Sequence, residues 1–146
     1  MSFLEEASKV IRQSGGRMTS QRELIIQLLE ETTQHLDAEG LYHLAFSQDN
    51  SISLATVYRT LNALEDAGLI QPRYLSHDHE RKYYEPVEDQ EHYHFTCQKC
   101  RRVIEFRSEL IEALKTSLEA QLGIQVSHAC VCFDGLCPDC REKEQQ

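Results

Sequence analysis

The chain has 146 residues, 40% hydrophobic and 27% charged, with six cysteines and a net charge of −9. That is apolar enough for one ordinary domain or two small ones, and excludes a disordered chain. No apolar run reaches about 18 residues and residues 1–20 lack a signal-peptide pattern, so a cytoplasmic protein without a membrane partner is expected. The acidic balance excludes bulk attraction to nucleic acid, and even residues 1–86 carry 8 Lys and Arg against 13 Asp and Glu. Any DNA contact must depend on a few placed cations and on helix N-termini.

Residues 2–14 read as a helix, with Phe3, Leu4, Ala7, Val10 and Ile11 on one face. Gly15 and Gly16 stop it. Ser20 and Glu23 form a capping-box pattern that starts a second helix running to about Glu31, with Leu24, Ile25, Leu28 and Leu29 toward the core. Asp37 is a suitable N-cap for a third helix through Leu41, Leu44 and Ala45. After the polar turn Ser47–Ser51, Ser53 caps a fourth helix from Leu54 to Ala67, and Gly68 occupies its C′ position. Leu54, Val57, Leu61 and Leu64 fall on one side of that helix. Thr56, Arg59, Asn62 and two small alanines fall on the other, with Tyr58 at the edge.

Leu69–Leu75 and Arg81–Glu85 are strand-like, with the polar run SHDHE as a hairpin tip. Several helices, one of them small-faced with Arg and Thr outward, followed by a hairpin, is the order of a winged helix-turn-helix. Residues 86–90 read as a hinge. His92–Thr96 and Val103–Arg107 are expected as strands. Leu110, Leu114, Leu118 and Leu122 mark a helix buried on one side and ended by Gly123. Ile124–Phe133 alternates as a further strand, with Cys130 and Cys132 as small buried hydrophobes on one face. The expected fold class is α+β: a winged helix-turn-helix domain over residues 1–85, a hinge over 86–90 and a small α/β domain over 91–146.

Two groups of residues carry metal chemistry. Cys97, Cys100, Cys137 and Cys140 form two CxxC pairs separated by 36 residues. Zinc prefers four soft ligands in a tetrahedron, and two-residue spacing lets both sulfurs of a pair reach one ion. Without an export signal, a structural zinc site is a better use of these cysteines than disulfides. His92 and His94 alternate in a strand and so face the same way. With the nearby carboxylates Glu85, Glu91 and Glu105, they offer an imidazole and carboxylate set without thiolate, suited to ferrous iron, manganese or zinc.

The stretches RMTSQRELIIQLL, HLDAEGLY, SLATVYRTLNALEDAGLI, HYHFTCQKCRRVIEF and GLCPDC together resemble the ferric uptake regulator (Fur) family of metal-sensing repressors over nearly the whole chain. The resemblance implies a homodimer, with an N-terminal winged helix and a C-terminal dimerisation domain, that binds AT-rich palindromic operators when loaded with metal. By position it implies His35, Glu85, His92, His94 and Glu105 as regulatory ligands. It also implies that Tyr58 and Arg59 contact bases, with Thr56 on the same face, and that Arg17 reaches the minor groove.

This chain departs from that pattern in places. Glu91 and Tyr93 interrupt the histidine run before the cysteines, which weakens a secondary site that in relatives also uses the positions of Glu112 and His128. Arg101 stands where a glycine usually follows the first CxxC. Glu85, in place of a cysteine, argues against a zinc sensor, and Glu105, in place of an aspartate, argues against a peroxide sensor. The expected function is a dimeric, metal-dependent transcriptional repressor responsive to ferrous iron, with manganese as a second candidate for the regulatory site, stabilised by structural zinc. No catalysis and no small-molecule substrate are expected. The alternatives are a peroxide or zinc sensor on the same scaffold, and a zinc-stabilised CxxC thiol oxidoreductase with a reactive, low-pKa cysteine.

Overall fold

The computed structural model describes residues 1–32, 36–75, 78–88 and 90–146. The chain divides into two compact units. One comprises Met1–Arg73 and Arg81–Glu88, the other Tyr74–Glu80 and Asp89–Gln146.

In the first unit, α1 (Phe3–Gln13) opens with a complete capping box. The Ser2 hydroxyl accepts the Glu5 N–H while the Glu5 carboxylate accepts the Ser2 N–H. Helix α2 (Ser20–Glu31) begins one residue earlier than the sequence suggests. Its N-cap is Thr19, whose hydroxyl accepts the Arg22 N–H, and Ser20 is already helical. Either hydroxyl can cap, and the extended backbone at Thr19 decides between them. Helix α3 (Ala38–Gln48) starts at Asp37, whose Oδ1 accepts the Gly40 N–H at 2.7 Å. Helix α4 (Leu54–Asp66) starts at Ser53, whose hydroxyl accepts the Thr56 N–H. Gly68 follows α4 at φ +73°, a left-handed conformation that costs any other residue about 1 kcal/mol or more.

Ile25, Ile26 and Leu29 of α2 are fully buried, with Leu24 and Leu28 half-buried against them. The stripe is wider than its period suggests because α2 touches α1, α3 and α4. Val57, Leu61 and Leu64 of α4 are buried as expected, while Leu54 is half-buried. Thr60 is buried too; its hydroxyl donates to the Thr56 carbonyl at 2.8 Å, so it enters the core with its polar group satisfied. On α3, Leu41 and Ala45 are buried and Leu44 is 39% exposed. Strands β1 (Leu36–Asp37), β2 (Ile70–Leu75) and β3 (Asp78–Pro86) form a sheet in the order β1-β3-β2. The two residues of β1, too short to show periodicity, pair antiparallel with Tyr83 and Tyr84 of β3. Asp78–Glu80 are already strand, so the hairpin tip is shorter than SHDHE; Ser76 and His77 lie outside the described residues. Helix, turn, helix and strand hairpin together make a winged helix-turn-helix.

The second unit is built on β4 (Tyr93–Cys97). It pairs antiparallel with β5 (Val103–Phe106) and parallel with β6 (Cys132–Gly135). Helix α5 (Glu109–Leu122) lies between β5 and β6 in sequence and ends at Gly123, φ +65°; helix α6 (Pro138–Glu144) closes the chain.

Two expectations fail here. The leucine face of α5 is not buried: Leu110, Leu114 and Leu122 are 81%, 55% and 63% exposed. Four-residue spacing fixes which way the leucines point, and the described residues of one chain do not cover them. Residues 124–131 form no strand. His94 pairs with Cys132 in parallel, so Val131 falls opposite Tyr93, the first residue of β4, and the residues before it would need partners ahead of that strand, where no strand runs. Cys130 is therefore exposed and Cys132 half-buried, not a packed pair. Among the described residues, no helix is long and apolar enough to cross a membrane.

Candidate metal centres and nucleic-acid face

Strand β4 carries donor groups toward both of its faces. Cys97, its last residue, begins a tight knuckle. The Arg101 N–H donates to the Cys97 carbonyl at 3.0 Å, and the Cys97 N–H donates to the Arg102 carbonyl at 2.8 Å. Arg101 sits at φ +64°, a left-handed conformation that a glycine adopts more readily than any residue with a Cβ. The turn brings Cys100 back beside Cys97. Cys137 is the N-cap of α6 and Cys140 lies in its first turn, with Pro138 at the start. Side chains tie the knuckle to the C-terminal segment: Gln98 to Asp134 at 2.6 Å, Arg102 to Asp139 at 3.0 Å and Lys99 to Glu144 at 3.4 Å.

The four sulfurs lie within 4.8 Å of one another, and the Sγ atoms of Cys100 and Cys137 are 3.7 Å apart. A zinc tetrathiolate with bonds of ~2.3 Å has tetrahedron edges of about 3.8 Å, whereas bonded sulfurs would be about 2.05 Å apart. All four cysteines are free thiols, and Cys97, Cys137 and Cys140 are buried. The spacing therefore fits zinc. The Cys137, Cys100 and Lys99 backbone N–H groups aimed at the Cys97 sulfur lower its pKa to about 6. The neighbouring Cys137 thiol, together with burial, pushes Cys140 up to about 12. A depressed pKa also marks redox cysteines, but Cys97 is 0% exposed and sits among three other sulfurs. A buried thiolate without access suits metal ligation, not thiol exchange.

On the other side of the strand, His92 and His94 are 5% and 3% exposed, with ring centroids 5.0 Å apart in an edge-to-face arrangement. His94 pairs with Glu105 across β4 and β5, with Nε2 4.0 Å from Glu105 Oε1. One ligand atom each from His92, His94 and Glu105 lies within 4.8 Å of the others. Two shielded imidazoles and a carboxylate form a borderline, nitrogen and oxygen set without thiolate, which fits ferrous iron, manganese or zinc. Glu85 lies on β3, where its Oε1 is 2.5 Å from Nε of the buried Arg73 and 3.3 Å from Gln71 Nε2. His35 lies outside the described residues.

Helix α4 presents Tyr58, 42% exposed, with Arg59 and Asn62 exposed beside it. Thr56 is half-buried, its hydroxyl 3.0 Å from that of Ser53 at the cap. Arg17 is exposed, and its carbonyl accepts from Arg22 Nη1 at 2.9 Å, which holds the link between α1 and α2. Sequence reasoning missed two cations: Arg73, the partner of Glu85, and Lys115 on α5. The first lies 12 residues from its partner on a neighbouring strand and leaves no local trace. The second was in reach, since Lys115 follows Glu112 at helical i, i+3 spacing.

Residues 13–133 match the model of the ferric uptake regulator family. The ferric uptake regulation protein of Campylobacter upsaliensis is 33% identical over 144 residues, covering 97% of this chain and 90% of that protein. Among solved structures, the Helicobacter pylori ferric uptake regulator superposes with a TM-score of 0.78 at 26% identity, over 95% of this chain and 91% of that one. A zinc-bound manganese uptake regulator gives a TM-score of 0.68 at 36% identity, over 93% and 99%. With the winged helix, the tetrathiol knuckle and the histidine pair all present in one chain, this protein belongs to the ferric uptake regulator family of metal-dependent regulators.

Proposed function

We propose that this chain is a dimeric transcriptional repressor that binds AT-rich palindromic DNA when a divalent ion, ferrous iron or manganese, occupies the site at His92 and His94. The observation that carries the proposal is the separation of donor chemistry on β4. Four thiols gathered at its end suit a permanent zinc, and a thiol-free set on the opposite side of the strand suits a sensed ion. Zinc–thiolate bonding is tight enough to be structural, and imidazole with carboxylate binds more weakly and exchangeably.

Glu105, Glu85 and His35 complete the regulatory ligand set in this proposal. Ligands drawn from residues 1–85 and 91–146, on either side of a hinge at 86–90, make metal loading a bias between arrangements of the dimer that do and do not fit DNA. Arg59, Tyr58 and Thr56 of α4 enter the major groove, and Arg17 enters the adjacent minor groove. Exposed Arg59 and Tyr58 on a helix capped by Ser53 support that assignment. The uncovered leucines of α5 and residues 124–131, which join no sheet, support a homodimer joined through this unit. The protein acts in the cytoplasm, makes and breaks no covalent bond and takes no small-molecule substrate.

The test is fluorescence anisotropy with an AT-rich palindrome, on protein whose weak site has been stripped while the tight zinc is kept. Ferrous iron, manganese and zinc are added back separately without oxygen. Binding restored by micromolar iron or manganese is expected. Restoration by trace zinc alone moves the protein to the zinc-sensing branch, and loss of iron-restored binding after a peroxide pulse moves it to the peroxide-sensing branch. Absence of metal-dependent binding to any such DNA overturns the proposal.

A further inference from the structure

A second polar cluster, at the positions of the secondary site that the family resemblance implies in relatives, joins β4 to α5 and lies outside both donor sets above. Glu91 stands just ahead of β4, Tyr93 is its first residue, Glu112 and Lys115 lie one turn apart on α5, and His128 follows in the irregular segment. The Lys115 side chain is 17% exposed. Its ammonium donates to Glu91 Oε2, lies 3.1 Å from Glu112 Oε1 and sits 5.8 Å from the centre of the Tyr93 ring. The carboxylates have further partners. The Tyr93 hydroxyl donates to Glu112 Oε1 at 3.0 Å. Glu91 Oε1 is 2.5 Å from His128 Nδ1 and accepts the Ala129 N–H at 3.3 Å. Burial opposes charge on Lys115, but hydrogen bonds to Glu91, Tyr93 and Glu112 outweigh it and raise its pKa above the ordinary lysine value.

We propose that the Lys115 ammonium is the resident cation of this cluster, standing between Glu91 and Glu112 where a divalent ion would otherwise be drawn, and that it keeps the cluster free of metal. Two carboxylates and an imidazole are the donor types that attract zinc, manganese or ferrous iron. An ion entering here must displace Lys115, stranding a largely buried ammonium without its partners, or bind beside it against like-charge repulsion. At the histidine pair, by contrast, the side chain opposite Glu105 is His94, itself a metal donor. The consequence is a chain with two ion sites and not three. The strand that carries His94, with His92 just ahead of it, is then braced from α5 by a covalently attached cation, and that brace does not vary with metal supply.

The test counts bound metal per chain by mass spectrometry of the elements, after equilibration with excess manganese or zinc and removal of the unbound ion. Lys115→Met is expected to hold one more ion than the wild-type chain. Lys115→Arg, which keeps the charge, holds no more than wild type, and Lys115→Met combined with Glu112→Gln loses the gain. Glu112→Gln alone, a change at a 58% exposed side chain, leaves the wild-type count unchanged. A wild-type ion lost on Glu112→Gln would show that the ammonium yields to metal and overturns the proposal. So would a Lys115→Met chain that keeps the wild-type circular dichroism yet gains nothing. Every readout is a difference from wild type, so the result stands whether or not the other ions regulate DNA binding.

Discussion

Replacing Cys137 by Ser, or stripping the zinc, should unfold the second unit and leave the first folded. The two cores explain why. The first unit's core contains fully buried Ile25, Ile26, Leu29, Leu41, Val57, Leu61 and Leu64 among others. Among the described residues, the tetrathiol cluster of the second holds Cys97, Cys137 and Cys140, with Phe95, Ile104 and Leu136 partly buried against them, while the fully buried Tyr93 packs apart from it against Phe106. At ~1.5–3 kcal/mol for each fully buried large side chain, those three flanking residues contribute less than about 9 kcal/mol. A structural zinc contributes ~10–16 kcal/mol of binding free energy at neutral pH. The metal therefore does more than this apolar packing to hold β4, the knuckle and α6 together. Hydrogen exchange read peptide by peptide is the suitable assay. Zinc removal should abolish protection at 93–97 and 132–144 while amides of α2 and α4 keep theirs. Equal protection of the second unit with and without zinc would refute the reasoning, as would simultaneous loss in both units.

Replacing Arg59 by Ala should weaken operator binding by about 1–3 kcal/mol, with metal affinity unchanged; equal losses in titrations of DNA and metal would undo the assignment of α4 to DNA. Leu114→Asp on the uncovered face of α5 should shift the protein toward monomer in sedimentation equilibrium, and an unchanged dimer would place the interface elsewhere. Arg101→Gly should stabilise the knuckle by about 1 kcal/mol by relieving a left-handed conformation, read as a higher denaturation midpoint of the second unit. The Cys97 thiol, lowered from an ordinary 9.0 to about 6, favours the folded, ligating form above its ordinary value and loses that advantage as pH falls through about 6. Zinc affinity measured by chelator competition should then fall by one further decade per pH unit below about 6; an unchanged slope across that point would contradict it.

The parts of this molecule that rest on local chemistry were legible in the sequence. Asp37 and Ser53 cap the helices they were expected to cap, Gly68 and Gly123 end theirs, and the winged helix follows from that order. The two donor sets were legible for the same reason: CxxC spacing and alternation along a strand are short-range rules. What escaped depends on contacts distant in sequence. Arg73 reaches Glu85 and Lys115 reaches Glu91 only through the fold. Thr60 is polar and carries no core signal, yet a hydrogen bond to its own helix lets it enter the core. The α5 leucines and the alternating residues 124–131 are the opposite case. Their patterns are real, but a pattern specifies only which way side chains point, and the described residues of one chain do not cover that face.

The most direct measurement is operator affinity as a function of free ferrous iron, without oxygen, for the wild-type chain and for His92→Ala, both carrying the structural zinc. If the ion at His92 and His94 switches the protein, the wild type gains affinity as iron rises and the variant stays flat, with unchanged circular dichroism and zinc content. Parallel iron-dependent curves for the two proteins would mean that the sensed ion binds elsewhere, and would contradict the division of β4 into a structural and a sensing side.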